Sequence, residues 1–219
     1  MIVPNDGYLP SHALENQYQD LLAQLIKNFG KAQQRIFSRS KKSDGVELGI
    51  GLITAHHLVK SGKSKAKHDN VEGAIKPSRW QILNVGAGGY ALRKFSSSAA
   101  SARVGDIVAM KNSKSATWEL AVLRWANINE MNQLEVGVEL ISPSVVADIA
   151  KVENVSIPIE GELLLLPEVS ALKQSASIIA ARGFCKLGNV LSFTKHQNIL
   201  VNKIVERTAR FERFEYSLI

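Results

Sequence analysis

The sequence predicts a mainly β protein with an N-terminal amphipathic helix, a small antiparallel β-barrel and an additional C-terminal β unit. Three observations predict this fold. Apolar residues recur at three- and four-residue steps near the N-terminus, which is typical of a helix with one buried face. Short segments with alternating apolar residues then follow at near-regular spacing, as in small barrels. A glycine-rich turn joins two of these segments, as in a hairpin.

Composition indicates the class of protein and of partner. Of the 219 residues, 45% are apolar and 21% are charged, which is typical of a soluble globular protein with one large domain or two small ones. The formal net charge of +7 favours an anionic partner. Much of this excess is lysine near residues 60–76, so charge alone does not establish nucleic-acid binding.

The sequence also indicates a compartment. Cys185 is the single cysteine, which excludes an intrachain disulfide and fits a reducing cytosol, and its apolar neighbours predict a buried thiol that is no nucleophile. The N-terminus lacks the basic start and apolar core of a signal peptide. No apolar stretch approaches the ~18–20 residues that span a bilayer. We therefore expect a cytoplasmic protein without membrane insertion.

The N-terminal helix is predicted at residues 12–29. Ser11 is suited to cap it, and Glu15 lies in the first turns, where the helix dipole favours negative charge. The apolar stripe of this helix must be buried. We expect it to pack on the body of the same chain, with self-association into a homo-oligomer as the alternative.

A basic stretch follows at residues 33–42. Arg35 and Arg39 stand four residues apart, and Lys41 and Lys42 come soon after them. The commoner fate of such a run is a solvated linker. The alternative is that both guanidinium groups bind one anionic, planar ligand, because an arginine fork bonds phosphate or a guanine edge with two hydrogen bonds and stacks on rings.

The next elements lead to the glycine-rich turn. Alternation predicts a first strand at residues 46–53, a short helical turn at 54–59 and a long polar loop at 61–78. His56 and His57 are adjacent and therefore point in different directions, which favours a structural role over a metal pair.

A central hairpin is predicted at residues 79–95. Its turn is Asn84-Val85-Gly86-Ala87-Gly88-Gly89, between two strand-forming segments. Because glycine has no Cβ, a partner can approach this backbone closely, and successive N–H groups can form an anion-binding nest. A plain hairpin turn without a ligand is the alternative.

Further strands are predicted on both sides of Pro143. Before it, alternating segments lie at residues 104–110, 117–126 and 134–140, and we expect the three tryptophans of the chain in the core. For the C-terminal unit we expect no chemistry, only packing on the barrel or docking of a partner. The extended segments predicted there are 145–149, 155–159, 161–166, 175–181, 187–193 and 198–206.

Several segments together resemble the PilZ domain family: Arg35-x-x-x-Arg39, Asn84-x-Gly86-x-x-Gly89, Val104-Gly105-Asp106, Trp118-Glu119-Leu120 with Leu123-Arg124-Trp125, and Leu134-Glu135-Val136-Gly137-Val138-Glu139-Leu140. The resemblance implies a bacterial six-stranded antiparallel β-barrel at residues 33–143. The helical segment 1–32 and the C-terminal β-rich extension 144–219 lie outside it.

The resemblance also implies a function. Many PilZ domains bind the second messenger cyclic di-GMP. In the family, an Arg-x-x-x-Arg stretch clamps guanines and phosphates, and an Asp/Asn-x-Ser-x-x-Gly motif on the barrel rim grips a guanine from the other side. The ligand-binding residues implied here are Arg35, Arg39, Asn84, Gly86 and Gly89, with Lys41 and Lys42 adding phosphate contacts.

Two departures from the family pattern bear on affinity. Gly86 stands where the family usually has serine, so one hydroxyl hydrogen bond is missing, worth about 0.5–1.5 kcal/mol. The segment between the two motifs is also longer than usual because of the 61–78 loop. Since bonds from charged arginines are roughly twice as strong as neutral ones, we expect weakened but retained binding.

We therefore expect a bacterial cyclic di-GMP receptor in which the ligand orders the arginine-containing arm and signals to an unidentified effector protein. The alternative is a degenerate PilZ-like scaffold that binds protein partners without nucleotide. A binder of single-stranded nucleic acid ranks last, because such proteins interleave exposed aromatics with basic residues. An enzyme is not expected, since no catalytic motif is present, and neither is a cofactor or a metal.

Overall fold

The computed structural model describes residues 40–41, 44–62, 76–86, 88–94, 102–112, 115–170, 174–193 and 197–219, together with Tyr18 and Leu21. The chain divides into the units Met1–Ser38 and Arg39–Ile219, and the strands among the described residues belong to the second. Outside the described residues lie the helix predicted at 12–29, apart from Tyr18 and Leu21, most of the loop predicted at 61–78, and Arg35, Arg39 and Lys42.

Six strands close into a first antiparallel barrel, which confirms the predicted fold class. They are β2 (Gly45–Ile50), β3 (Ser78–Gly86), β4 (Gly89–Lys94), β5 (Ile107–Asn112), β6 (Glu119–Ile128) and β7 (Leu134–Ser142). The order around the barrel is β3-β2-β5-β6-β7-β4, and β4 pairs back onto β3. A two-residue strand β1 (Ser40–Lys41) pairs with the part of β3 that lies beyond β2.

The first barrel is filled by the inward-facing side chains of its strands. Trp80 is fully buried there, and its indole N–H donates to the Ser78 hydroxyl at 2.8 Å, so the buried polar atom has a partner. The buried members of this interior are Val46, Leu48, Trp80, Ile82, Leu92, Val108, Met110, Ala121, Leu123, Val136 and Val138.

One helix, α1 (Leu52–Gly62), is inserted between β2 and β3. It is longer than the short turn predicted at 54–59, and its first turn closes with a hydrogen bond from the Ala55 N–H to the Gly51 carbonyl. Its buried face consists of Ala55, His56, Leu58 and Val59. None of the described helical residues belongs to a helix with the length and apolar character needed to cross a membrane.

The C-terminal β unit is a second closed antiparallel barrel. Its strands are β8 (Val146–Val152), β9 (Ile159–Leu166), β10 (Ser177–Ala181), β11 (Val190–Phe193), β12 (Ile199–Arg207) and β13 (Phe211–Leu218). They follow the order β10-β13-β12-β11-β8-β9 around the barrel. The segments predicted at 155–159 and 161–166 are one strand, β9, preceded by a turn.

The two barrels share an apolar core that α1 helps to form. β5 and the first half of β6 are buried on both faces, with one face in the first barrel and the other in this shared core, so residues 107–110 and 120–123 are continuous apolar runs. Each large side chain buried here stabilises the fold by about 1.5–3 kcal/mol. The buried members are Ala55, Leu58, Val59, Ile107, Ala109, Trp118, Leu120, Val122, Ile141, Val145, Leu164, Leu166, Ile179 and Phe211.

Candidate functional site

The glycine-rich segment forms the β3–β4 hairpin, as predicted. Asn84 lies opposite Ala91, and Gly86 lies opposite Gly89. The register shifts between Ile82 and Asn84, which marks a bulge in β3. Because Ile82 and Val85 pack towards the barrel interior, Asn84 is directed to the outer face.

Strand β1 brings part of the basic stretch to this hairpin. Ser40 pairs with Val85, and Lys41 pairs with Asn84. Two predicted site residues from separate motifs, Lys41 and Asn84, are therefore neighbours across one strand pair. Arg35, Arg39 and Lys42 lie outside the described residues, so this pairing is the part of the predicted arm that the structure places.

The two predicted glycines of the motif differ in what they permit. A Cβ at Gly89 would collide with the Val138 carbonyl oxygen, so this glycine lets the hairpin pack closely against β7. The Leu140 N–H donates to the Gly88 carbonyl at 2.9 Å and holds the same contact. At Gly86, the nearest atom to an added Cβ is the Gly89 carbonyl oxygen at 4.0 Å. A side chain fits at position 86 and does not fit at position 89.

Trp125 lies on the same face as Asn84, and the sequence reasoning missed it. Across neighbouring strands the pairing runs from Asn84 to Ala91, then to Gly137, then to Trp125. A Cβ at Gly137 would collide with the indole of Trp125, so the indole lies over this glycine on the outer surface, 39% exposed.

The expectation that all three tryptophans belong to the core is confirmed for Trp80 and Trp118 and is wrong for Trp125. The cause is a register shift between Leu123 and Trp125, which turns Trp125 outward although Leu123 points into the barrel. A glycine inside a strand often marks a close approach, so Gly137 was the available signal.

An ion pair borders this face on one side. Arg93 donates to Glu135 Oε1 at 2.8 Å across the β4–β7 pair, and Asn129 Nδ2 donates to the same oxygen at 3.0 Å. The hydrogen bond from Arg93 holds the pKa of Glu135 below its usual value, against the smaller opposing effect of burial. This carboxylate therefore stays charged and keeps Arg93 in place at neutral pH.

A three-residue ion cluster borders the other side. Arg124, in the bulge of β6, donates from Nε to Glu139 at 2.5 Å and from Nη1 to Glu206 at 2.7 Å. Burial alone would lower the pKa of the Arg124 guanidinium, but the hydrogen bonds to Glu206 and Glu139 outweigh it and the pKa is raised. Glu139 belongs to the first barrel and Glu206 to the second, so Arg124 links them.

A separate cleft of about 480 Å³ opens near the start of β2 and β3, and residues of β5 also line it. Arg79, Glu47 and Lys111 line it, whereas Asn84, Gly86 and Gly89, which the structure describes, do not. The hairpin face is the candidate site, because backbone pairing there joins two predicted motifs.

Comparison with known proteins adds three findings. Residues 59–146 match the family described as cyclic-di-GMP receptor FimW, middle PilZ domain, and residues 156–219 match the FimW C-terminal beta-barrel domain. A relative from Pseudomonas aeruginosa, the cyclic-di-GMP receptor FimW, is 26% identical over 142 residues. The alignment covers 62% of this chain and 23% of the relative, so the chain spans about a quarter of the relative's length.

Proposed function

Because the chain belongs to the PilZ domain family, we propose that it is a cyclic di-GMP receptor without catalytic activity. The match of residues 59–146 to the PilZ domain of a cyclic-di-GMP receptor supports this proposal. It agrees with the net charge of +7, which favours an anionic ligand.

The observation that carries the proposal is the pairing of Lys41 with Asn84. It brings the backbone at the end of the basic arm beside Asn84 of β3. In this proposal, Arg35 and Arg39 bind guanine and phosphate, Lys41 and Lys42 bind phosphate, and Asn84 bonds a guanine edge. The backbone from Gly86 to Gly89 then supplies N–H donors.

Trp125 extends the proposed site. It lies three strand spacings from Asn84, which is about 14 Å between Cα atoms, and its indole covers part of that distance by lying over Gly137. Only the small residues Ala91 and Gly137 stand between them. We propose that a guanine stacks against the exposed indole while Asn84 bonds its edge.

The proposed mechanism is a disorder-to-order change of the arm. Without ligand, the four cationic side chains from Arg35 to Lys42 repel one another, and the phosphates of cyclic di-GMP neutralise that repulsion. The ordered arm then presents a surface to an effector protein. In this proposal the effector contacts the second barrel, which packs on the first.

Calorimetric titration of cyclic di-GMP tests the proposal. We expect micromolar or tighter binding to the wild type and a loss of at least tenfold in Arg35→Ala and in Arg39→Ala, because each removes charge-assisted hydrogen bonds. Arg182→Ala, an exposed arginine of the second barrel, is the matched control and should bind as the wild type does. Binding that survives both arm substitutions would place the site elsewhere.

Gly86, in place of the usual serine, favours a second candidate, a PilZ-like scaffold that binds protein partners without nucleotide. The same titration decides between the two. Absence of heat at millimolar ligand, with folding intact by circular dichroism, would support the scaffold.

A further inference from the structure

Arg124 occupies a position beside the proposed site that the motifs do not explain. Gly89, the last residue of the rim motif, lies directly opposite Glu139 in the β4–β7 pair. Arg124 bonds that same Glu139 and, with another nitrogen, Glu206 of β12. One guanidinium therefore bonds the residue that faces Gly89 and is shared by carboxylates from both barrels.

Within this cluster, two carboxylates compete for one guanidinium. Glu139 and Glu206 both bond Arg124, and Glu206 also lies opposite Arg213 in the β12–β13 pair and interacts electrostatically with it, so Glu206 keeps a cationic neighbour if Arg124 turns away. Arg124 is 41% exposed, Glu139 55% and Glu206 23%, and ion pairs at such exposure are weak enough to exchange partners. A phosphodiester of the ligand carries one negative charge, as a carboxylate does, but its two unesterified oxygens can accept two parallel hydrogen bonds from one guanidinium, whereas Glu139 and Glu206 each accept one from Arg124.

We propose that Arg124 is a further phosphate-binding residue, and that on engaging the ligand it releases Glu206 of the second barrel. This inference rests on the proposed function. A phosphate held beside Gly89 approaches the facing Glu139, and the repulsion between them is relieved when Arg124 turns to the phosphate. Ligand binding at the first barrel is thereby communicated to β12.

The release is local, because other contacts keep the barrels together. Arg210 of the second barrel lies 3.7 Å from Asp106 of the first, and the shared apolar core is unaffected. The expected change is therefore a loosening of β12 around Glu206 rather than a separation of the barrels.

The inference predicts that two substitutions change cyclic di-GMP affinity in opposite directions. Glu206→Gln removes a competitor for Arg124, so cyclic di-GMP affinity should rise about two- to fivefold, whereas Arg124→Gln should lower it by about three- to tenfold. By linkage, Glu206→Gln should have no effect in the Arg124→Gln background. Glu160→Gln, which removes a carboxylate paired with Lys151 on the second barrel, is the charge-matched control and should leave affinity unchanged.

Hydrogen exchange tests whether ligand binding changes β12 through Arg124. If Arg124 had only a structural role, the ligand would not change exchange in β12. Saturating cyclic di-GMP should speed amide exchange near Glu206 in the wild type and leave it unchanged in Arg124→Gln. Unchanged or weaker binding by Glu206→Gln overturns the inference, and so does an equal gain in the Arg124→Gln background, which would indicate through-space repulsion. If the wild type itself does not bind, the proposed function fails first, and that result is distinguishable from these.

Discussion

The rim motif departs from the family pattern at the single residue Gly86, and the structure has room for the missing side chain. We predict that Gly86→Ser tightens cyclic di-GMP binding by up to about tenfold, because a hydroxyl adds one hydrogen bond of about 0.5–1.5 kcal/mol. Calorimetry measures the gain. Gly88→Ser, whose Cβ meets no atom within 4 Å, is the matched control in the same turn and should give none.

Gly89 should behave in the opposite way. We predict that Gly89→Ala lowers the free energy of unfolding by about 1–3 kcal/mol, because its Cβ would collide with the Val138 backbone and force β4 away from β7. Urea unfolding followed by circular dichroism measures the loss. Gly86→Ala is the control, and equal stability of the two variants would contradict the prediction.

Substitutions of Trp125 test whether a guanine of the ligand stacks on its indole. We predict that Trp125→Ala weakens cyclic di-GMP binding by about tenfold or more, since stacking of a base on an aromatic side chain contributes about 1–3 kcal/mol. Trp125→Phe retains a ring and should lose less. Because Trp80 and Trp118 are buried, quenching of tryptophan fluorescence by the ligand should vanish in Trp125→Phe, and persistent quenching would exclude this stacking.

Among the secondary-structure elements, α1 gives the fold a pH dependence through His56. This side chain is 1% exposed, its Nε2 lies 3.1 Å from the Asp148 carbonyl oxygen, and its Nδ1 lies 3.5 Å from Glu162. Burial lowers the pKa of His56 below 6.5, although Glu162 and the bond to Asp148 act in the other direction. As pH falls below about 6.5, His56 therefore takes up a proton more readily in the unfolded chain than in the folded protein.

The sign of the effect follows from that difference. Above pH 6.5 the stabilisation associated with neutral His56 is fully present, and it is lost progressively as pH falls below 6.5 towards the lowered pKa of the folded state. We predict that urea unfolding shows a larger loss of stability from pH 8 to pH 5.5 in the wild type than in His56→Gln. An equal loss of stability in the two proteins would contradict the prediction.

The secondary-structure elements also show which parts of the fold could be predicted from the sequence. Alternation locates the strands of both barrels, because inward and outward side chains alternate along each strand. Closure of the second barrel depends on β9 pairing with β10 and β10 with β13, and no local pattern records such pairing. The length of α1 was underestimated because much of its stability comes from the shared core rather than from its own sequence.

The candidate site divides in the same manner. Asn84, Gly86 and Gly89 follow from a motif within one hairpin, and the pairing of Lys41 with Asn84 agrees with the predicted meeting of two motifs. Trp125 and Arg124 reach the same face only through a bulge in β6 and the packing of the second barrel. Bulges and contacts between barrels leave little trace in sequence spacing, so these two residues required the structure.

For the whole molecule, the shared core predicts that the two barrels unfold together. Of the three tryptophans, none lies in the second barrel, whereas the single cysteine, Cys185, is buried inside it. Burial raises the pKa of the Cys185 thiol to about 12, so alkylation at pH 8 should require unfolding. We predict coincident urea midpoints for tryptophan fluorescence and Cys185 alkylation. Two separated midpoints would show that the barrels are independent folding units.

The double burial of β5 and of the first half of β6 limits how the first barrel can be transferred between proteins. A fragment ending near Pro143 would retain the candidate site, yet it would expose Ile107, Leu120 and Val122 to water. Such a continuous apolar patch promotes aggregation. Recombination or engineering that transfers the first barrel must therefore include the second barrel, which covers this patch, or replace the apolar residues on the outer faces of β5 and β6 with polar ones.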